Sequence, residues 1–263
     1  MRSYETDTTE NQWARIAFCF TQPEGGPGRK RTIDTRRVVD ALFYRMRTGC
    51  QWRFMPSDFP PYRSVHYYFM KWTRDGTIDW AHRLLRDQER ADDGRDPAPT
   101  AAVLDSQTAQ STCVSQETGY DGAKKKKGRK RHLLVDTMGN LLVVVTHAAS
   151  ISAHDGAQLV LERARQLFPS LRRVWVDSGY RASSLADWKD ALWPELTLEV
   201  VARPQQTPRF VVLPRRWVVE RTFSWLGTNR LLSKEYERYS HHTETWMTLA
   251  SMFLFLERQC PRP

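Results

Sequence analysis

The chain has 263 residues, enough for one large domain or for one domain and a smaller module. Its composition, 40% hydrophobic and 27% charged, is that of a globular protein, and no apolar run is long enough to cross a membrane. The formal net charge of +10 favours a polyanionic partner, nucleic acid before an anionic membrane surface. The polar N-terminus is unlike a signal peptide and the four cysteines lack zinc-finger or redox spacing, so we expect a cytosolic protein with reduced thiols.

The first third of the chain is predicted to be helical. A short apolar-periodic piece is followed by three helices, at about 34–47, 64–72 and 78–90, and Thr32 or Asp34 can cap the first. Because Arg and Lys lie on all three, they could form a helix-turn-helix module that binds DNA, or a packing module. The polar stretch 91–100 has two prolines and is predicted to be a linker. We therefore expect a helical N-terminal region, residues 1–98, that binds DNA.

Residues 99–263 have the pattern of a second, α/β domain. Apolar runs predict strands at 101–105, 132–136, 141–147, 171–177 and 196–202. Helical periodicity predicts helices at 155–168, 183–193, 213–232 and 243–258. A hairpin beside strands that alternate with helices predicts a mixed sheet with helices on its faces.

Three carboxylates are placed where they could meet. Asp105 and Asp177 end predicted strands, and strand ends form the crevice in which such sheets bind ligands. Glu220 lies in the middle of an apolar helix, where a buried carboxylate needs a cation, and Arg216 is one turn earlier on the same face. The alternative is a structural Arg–Glu pair. Three converging acids would need Mg²⁺ or Mn²⁺, and two such ions could cleave a phosphodiester.

A basic run precedes the second predicted strand. It reads KKKKGRKR and is interpreted as a solvated loop and strand start that could bind phosphate. Its candidate DNA-binding residues are Lys124, Lys125, Lys126, Lys127, Arg129, Lys130 and Arg131. The histidines are interpreted as packed or surface residues, with His241 and His242 in an exposed loop.

Three motifs resemble those of a known enzyme family. LDSQT at 104–108, VWVDSGYR at 174–181 and WVVERTFSWL at 217–226 are similar to the catalytic motifs of DDE transposases from bacterial insertion sequences. The resemblance is to the IS-five family of the IS-four-like group, and it spans most of the chain. It includes the segments at 49–72, 126–149 and 229–238.

This resemblance implies an RNase H-like catalytic domain. Asp105, Asp177 and Glu220 would hold the metal, two Mg²⁺ or Mn²⁺ ions, and Arg216 would be the family's basic residue one turn before the Glu. The broader group often has a Tyr three residues before that Arg and a Lys seven after the Glu, where this chain has Leu213 and Gly227. Arg230 or Lys234 could contact DNA instead.

The resemblance implies an insertion-sequence transposase that cuts double-stranded DNA at terminal inverted repeats and joins the 3′-hydroxyl to target DNA. Its implied setting is the bacterial cytoplasm, at the nucleoid, with no membrane partner. Pairing two DNA ends suggests a homodimer or a higher oligomer. Two alternatives stay open at this point, an RNase H-like nuclease without strand transfer and a non-catalytic DNA-binding relative.

Overall fold

The computed structural model describes residues 3–21, 33–201 and 215–262, and these form two compact units. The first unit contains Met1–Arg95, Thr228–Ser233 and Thr245–Pro263, and the second contains Asp96–Gly227 and Lys234–Glu244. No helix within these described ranges is long and apolar enough to cross a bilayer.

The secondary structure follows the predicted order. The α-helices of the described residues are α1 (Glu10–Phe20), α2 (Thr35–Thr48), α3 (Tyr62–Arg74), α4 (Thr77–Asp92), α5 (Ala153–Leu167), α6 (Ser183–Leu192), α7 (Trp217–Gly227) and α8 (Ser240–Gln259). The strands are β1 (Ala101–Gln110), β2 (Gly119–Asp121), β3 (Lys126–Asp136), β4 (Leu141–Ala148), β5 (Arg173–Val176) and β6 (Thr197–Val200).

The first unit is helical, as predicted, and local sequence signals fix its helix ends. Asp34 caps α2 by accepting from the backbone N–H groups of Arg36 and Arg37. The helix ends at Gly49, whose φ of 70° is the left-handed conformation that glycine adopts without strain. The helix predicted at about 34–47 is therefore confirmed as α2, with Asp34 as its cap.

The C-terminal part of α8 belongs to this helical unit. Trp246 stacks on Phe69 with ring centroids 4.5 Å apart, and the Gln12 side-chain amide donates to the Cys260 carbonyl at 3.0 Å. The predicted division at residue 98 had placed this helix in the second domain. Its apolar face instead contributes to the core of the first unit, a long-range contact that no local pattern reveals.

The second unit contains a mixed sheet with the strand order β4-β3-β1-β5-β6, and β2 pairs with the first residues of β3. Strands β1, β3 and β4 are antiparallel neighbours, while β5 and β6 run parallel to β1. This order and these directions are those of an RNase H-like fold. The predicted fold class, a mixed α/β sheet of RNase H-like type preceded by a helical region, is confirmed.

Several predicted boundaries need correction. The predicted helix at 213–232 is shorter, because α7 ends at Gly227 and a separate 3₁₀ turn covers Arg230–Leu232. Its predicted start, with Leu213, lies outside the described residues. Strand β3 begins six residues earlier than predicted, at Lys126. The predicted loop at His241–His242 is the first turn of α8, and His242 is buried.

Candidate active site

The pairing of β1 with β5 brings Asp105 and Asp177 close together. In the parallel pairing of β1 with β5, Val103 lies opposite Trp175, so the register continues two residues later to Asp105 and Asp177. Asp177 directly follows the last residue of β5, but Asp105 lies inside β1, which continues to Gln110, so the prediction that Asp105 ends its strand is wrong. The predicted convergence of the first two acids follows from this register.

Backbone N–H groups hold one oxygen of each aspartate. The Ser106 N–H donates to Asp105 Oδ1 at 2.7 Å, and the Gly179 N–H donates to Asp177 Oδ1 at 2.8 Å. The second bond arises because Asp177 caps the 3₁₀ turn Ser178–Tyr180. Each carboxylate is thus oriented by its own chain, and in both the other oxygen, Oδ2, is directed to a common cation.

Helix α7 supplies the third acid. The buried side chains of α7 include Val218, Val219 and Thr222, and the Thr222 hydroxyl donates to the Gly139 carbonyl at 2.8 Å in the β3–β4 turn. Gly139 has a φ of 90°, so this turn depends on glycine. The anchoring leaves Glu220 on the outer face with 53% of its side chain exposed, so the sequence-based expectation of a buried Glu220 is wrong.

Arg216 lies at the centre of the three acids. Its Nη2 atom is 3.8 Å from Asp105 Oδ2, 3.7 Å from Asp177 Oδ2 and 3.7 Å from Glu220 Oε1. The Arg216 side chain is 12% exposed, so the guanidinium is largely enclosed. The pair of Arg216 and Glu220 predicted from helical spacing exists, but it is part of a four-residue cluster.

The pKa of the Asp105 carboxyl is raised in this arrangement. This pKa rises from an ordinary value of 3.8 to about 6, mainly because of burial and also because of the Asp177 carboxylate. The Ser106 N–H, Arg216 and Lys124 act in the opposite direction, but they do not overcome the burial. A carboxyl whose pKa is shifted by burial and by a like charge in a cleft is typical of a functional site.

The carboxylate oxygens of Asp105, Asp177 and Glu220 are chemically suited to bind a hard divalent cation. All three side chains offer carboxylate oxygens, the ligands that Mg²⁺ and Mn²⁺ prefer, and both Oδ2 atoms are directed to one point. Across residues 3–21, 33–201 and 215–262, no three His, Cys, Asp or Glu side chains are close enough to enclose a metal ion. In the structure the cation that these acids share is the Arg216 guanidinium.

The four lysines Lys124–Lys127 are exposed. Asp121 orients the turn that carries Lys124 and Lys125, because its carboxylate accepts from the Lys124 N–H at 3.1 Å and from the Thr108 hydroxyl at 2.6 Å. The Lys124 ammonium donates to the carbonyl of Ser106, the residue after Asp105, at 3.3 Å. Lys124 therefore places a positive charge next to the acids, and Lys125, Lys126 and Lys127 continue the exposed basic run along the chain.

The other half of the basic run is buried, which corrects its interpretation as a solvated loop. Arg129, Lys130 and Arg131 lie within β3 and are 0%, 7% and 3% exposed. Both guanidinium groups pair with the fully buried Glu235, Arg129 at 3.3 Å. Lys130 donates to the Ile151 carbonyl at 2.8 Å. In this arrangement these three side chains hold the fold and are not available to a phosphate.

The remaining two candidate DNA contacts lie on the surface. Arg230 and Lys234 are both exposed. Lys234 belongs to the sheet-containing unit with the acids, while Arg230 belongs to the helical unit.

Sequence reasoning missed a buried contact behind the acids. The Tyr180 hydroxyl lies 3.2 Å from His132 Nδ1, and both side chains are buried. This contact joins the turn that begins at Asp177 to β3, and Ser106 pairs with His132 across β1 and β3. Tyr180 stands three residues after Asp177 in the DSGY motif, which is the only sequence signal that points to it.

Comparisons with solved structures and curated proteins give distant similarities. A structure of the piggyBac transposase synaptic complex with hairpin DNA is similar at 12% identity, with a TM-score of 0.37, covering 97% of this chain and 74% of that chain. The uncharacterized protein y4sN of Sinorhizobium fredii is 31% identical over 71 residues, which are 27% of this chain. The chain spans about half the length of that curated relative, 55% of it.

Two family models match in succession. The first, for transposases of the IS4/5 family, matches residues 8–82, and the second, the transposase DDE domain, matches residues 96–255. The second match contains Asp105, Asp177 and Glu220 and spans more than half of the chain. This chain therefore belongs to the DDE transposases, in their IS4/5-like group.

Proposed function

We propose that this insertion-sequence transposase cleaves double-stranded DNA at the terminal inverted repeats of its element and joins the free 3′-hydroxyl to target DNA. The observation that supports this most directly is the convergence of Asp105, Asp177 and Glu220 on one cationic centre. The three acids come from β1, the end of β5 and α7, so only the folded domain assembles them.

Asp105, Asp177 and Glu220 would hold Mg²⁺ or Mn²⁺, in line with the general use of divalent ions by this family. Two such ions, when bound, activate the attacking water or hydroxyl and stabilise the leaving oxygen. The protein's own contribution is orientation, because the N–H groups of Ser106 and Gly179 fix the two aspartates before substrate arrives. Glu220 is 53% exposed, so this side of the acid cluster is the one that DNA would approach.

The DNA backbone would lie over Lys124–Lys127. These side chains are exposed, and the Lys124 ammonium reaches the residue next to Asp105. Phosphate contacts of this kind position a duplex without reading its sequence. Lys234 would extend this surface, and we assign Arg230 and the helical unit to a further part of the DNA. A reaction that joins two element ends calls for two copies of the chain, acting at the bacterial nucleoid.

The test mixes purified protein with DNA carrying both ends of the element, with Mg²⁺, with Mn²⁺ or with EDTA. Glu220→Gln is expected to lose cleavage and to bind the ends almost as tightly, because it removes one charge from an exposed position. Glu162→Gln is the matched control, since Glu162 is exposed on α5, and it should keep full activity.

The products separate the possible activities. Cut and joined products that require metal and Glu220 support the transposase. Cut products without joining would replace it with a nuclease, and DNA binding without any chemistry would leave a non-catalytic DNA-binding protein. Equal loss of binding and cleavage in Glu220→Gln would contradict the role given to that side chain.

A further inference from the structure

We infer that Arg216 is an internal competitor of the metal. Its guanidinium occupies the shared centre of Asp105, Asp177 and Glu220 in the structure, and it has to leave that centre before a divalent ion can bind. This inference rests on the proposed function, because it concerns the same three acids. It adds that DNA, by offering its phosphates to Arg216, prepares the site for metal.

The geometry suits a counterion that can be displaced. The three distances from Nη2 to carboxylate oxygens, 3.7–3.8 Å, are longer than hydrogen bonds, so charge rather than a directional bond holds the guanidinium. The Arg216 Nε is buried and has no hydrogen-bond partner among the residues that the structure describes. A side chain held in this way gives up few specific contacts when it moves.

The two cations cannot share the centre. A divalent ion would be held by the same carboxylate oxygens that surround Nη2, so the two cations would compete for one set of ligands. The guanidinium and a divalent ion would then be in direct repulsion inside a site that is mostly enclosed. Arg216 therefore lowers the affinity for metal as long as it stays in place.

Arg216 also explains how the acids remain together without metal. The Oδ2 atoms of Asp105 and Asp177, two like charges, lie 3.8 and 3.7 Å from Arg216 Nη2. The Arg216 charge between them offsets part of their repulsion. When DNA phosphates are present, the guanidinium gains a second anionic partner beside the site. DNA binding and metal binding should then favour each other, as linkage requires.

The experiment titrates metal-free protein with Mn²⁺ alone and measures the dissociation constant by calorimetry or by the Mn²⁺ EPR signal. Arg216→Gln removes the charge at nearly constant size and is expected to bind Mn²⁺ about tenfold more tightly than the unmodified chain. Arg216→Lys keeps the charge and should stay within about threefold. Arg181→Gln removes an exposed arginine four residues from Asp177 and should change the affinity less than twofold.

A second arm repeats the titration with short duplex DNA of an unrelated sequence. The unmodified chain should bind Mn²⁺ more tightly with DNA than without it, whereas Arg216→Gln should lose most of that gain. Thermal unfolding in EDTA checks that Arg216→Gln is folded, and its melting temperature is expected to be lower than that of the unmodified chain and to recover with Mn²⁺.

The outcomes separate this inference from the proposed function. If the unmodified chain binds Mn²⁺, Asp105→Asn abolishes the binding and Arg216→Gln binds no more tightly, then the acids hold metal and the competition is refuted. If a folded Arg216→Gln binds more tightly while the unmodified chain never cuts DNA, the competition stands and the transposase activity fails. If neither chain binds Mn²⁺, both the metal role and the competition are wrong.

Discussion

At the scale of single residues, the largely buried carboxylate of Asp105 lowers the free energy of unfolding when no metal is bound. Its pKa in the folded chain is about 6, whereas an unfolded aspartate has 3.8. Between these values the folded state binds more protons, so the free energy of unfolding falls as the pH rises through this window. Above pH 6 the metal-free protein carries the whole penalty, at most about 3 kcal/mol at 1.36 kcal/mol per pKa unit.

Asp105→Asn should therefore stabilise the metal-free protein at pH 8, where the carboxylate is charged, and have little effect near pH 4. Urea unfolding in EDTA at the two pH values measures this difference. Asp190→Asn, at an exposed position on α6, is the control and should show no gain that depends on pH. A gain for Asp105→Asn that is equal at both pH values would mean that its origin is not the charge.

Gly156 gives a second prediction at the residue scale. It lies in α5, and a Cβ at this position would collide with the Nε2 atoms of His132 and His147, both of which are buried. Gly156→Ala gains about 1 kcal/mol of helix propensity, but overpacking costs typically 1–3 kcal/mol, so we expect net destabilisation. Gly227→Ala, where a Cβ would meet nothing within 4 Å, should be neutral or stabilising in the same unfolding assay.

At the scale of elements, Glu235 joins β3 to the segment Lys234–Glu244. Its buried carboxylate pairs with Arg129 and Arg131 and accepts from the Thr243 hydroxyl at 2.7 Å. The backbone adds to this, because the Glu235 N–H donates to the Gln110 carbonyl at 2.8 Å. One carboxylate thus pairs with two arginines and ties the segment Lys234–Glu244 to the central strands.

Glu235→Gln is expected to destabilise the protein by about 3–5 kcal/mol, since it leaves two buried guanidinium groups without their anion. Chemical unfolding measures the loss, and Glu162→Gln, on the surface of α5, should stay within about 0.5 kcal/mol of the unmodified chain. A small effect for Glu235→Gln would mean that the arginines find other partners or become solvated.

The same element shows where sequence reasoning succeeds and where it fails. The order of strands and helices follows from local apolar periodicity, whereas the meeting of Asp105 with Asp177 depends on the parallel pairing of β1 with β5, because Asp105 lies inside β1 and does not end it. The burial of Arg129 and Arg131 depends on Glu235, which is more than 100 residues away, so the basic run alone suggests a solvated loop. Glu220 was misjudged because the apolar residues around it pack on the other side of α7.

At the scale of the whole molecule, the net charge of +10 comes from basic residues of two kinds. Some are buried and stabilise the fold, and others are exposed and available for binding. Arg129 and Arg131 are buried inside the fold, so the proposed DNA surface would have to come from exposed cations such as Lys124–Lys127. Each phosphate contact that is removed should reduce the slope of log K against log salt concentration by about 0.9 for duplex DNA. The slope of log K against log salt concentration therefore measures how many lysines contact DNA phosphates.

Replacing Lys124, Lys125, Lys126 and Lys127 together by Ala should reduce this slope by about two to four and weaken binding to all duplex sequences alike, because phosphates carry no sequence information. Fluorescence anisotropy between 50 and 200 mM salt, the range over which counterion release is large, measures it. Lys189→Ala is the control, since Lys189 pairs with Asp190 on α6, and its slope should be unchanged. An unchanged slope in the fourfold variant would place the DNA elsewhere, on Lys234, on Arg230 or on the helical unit.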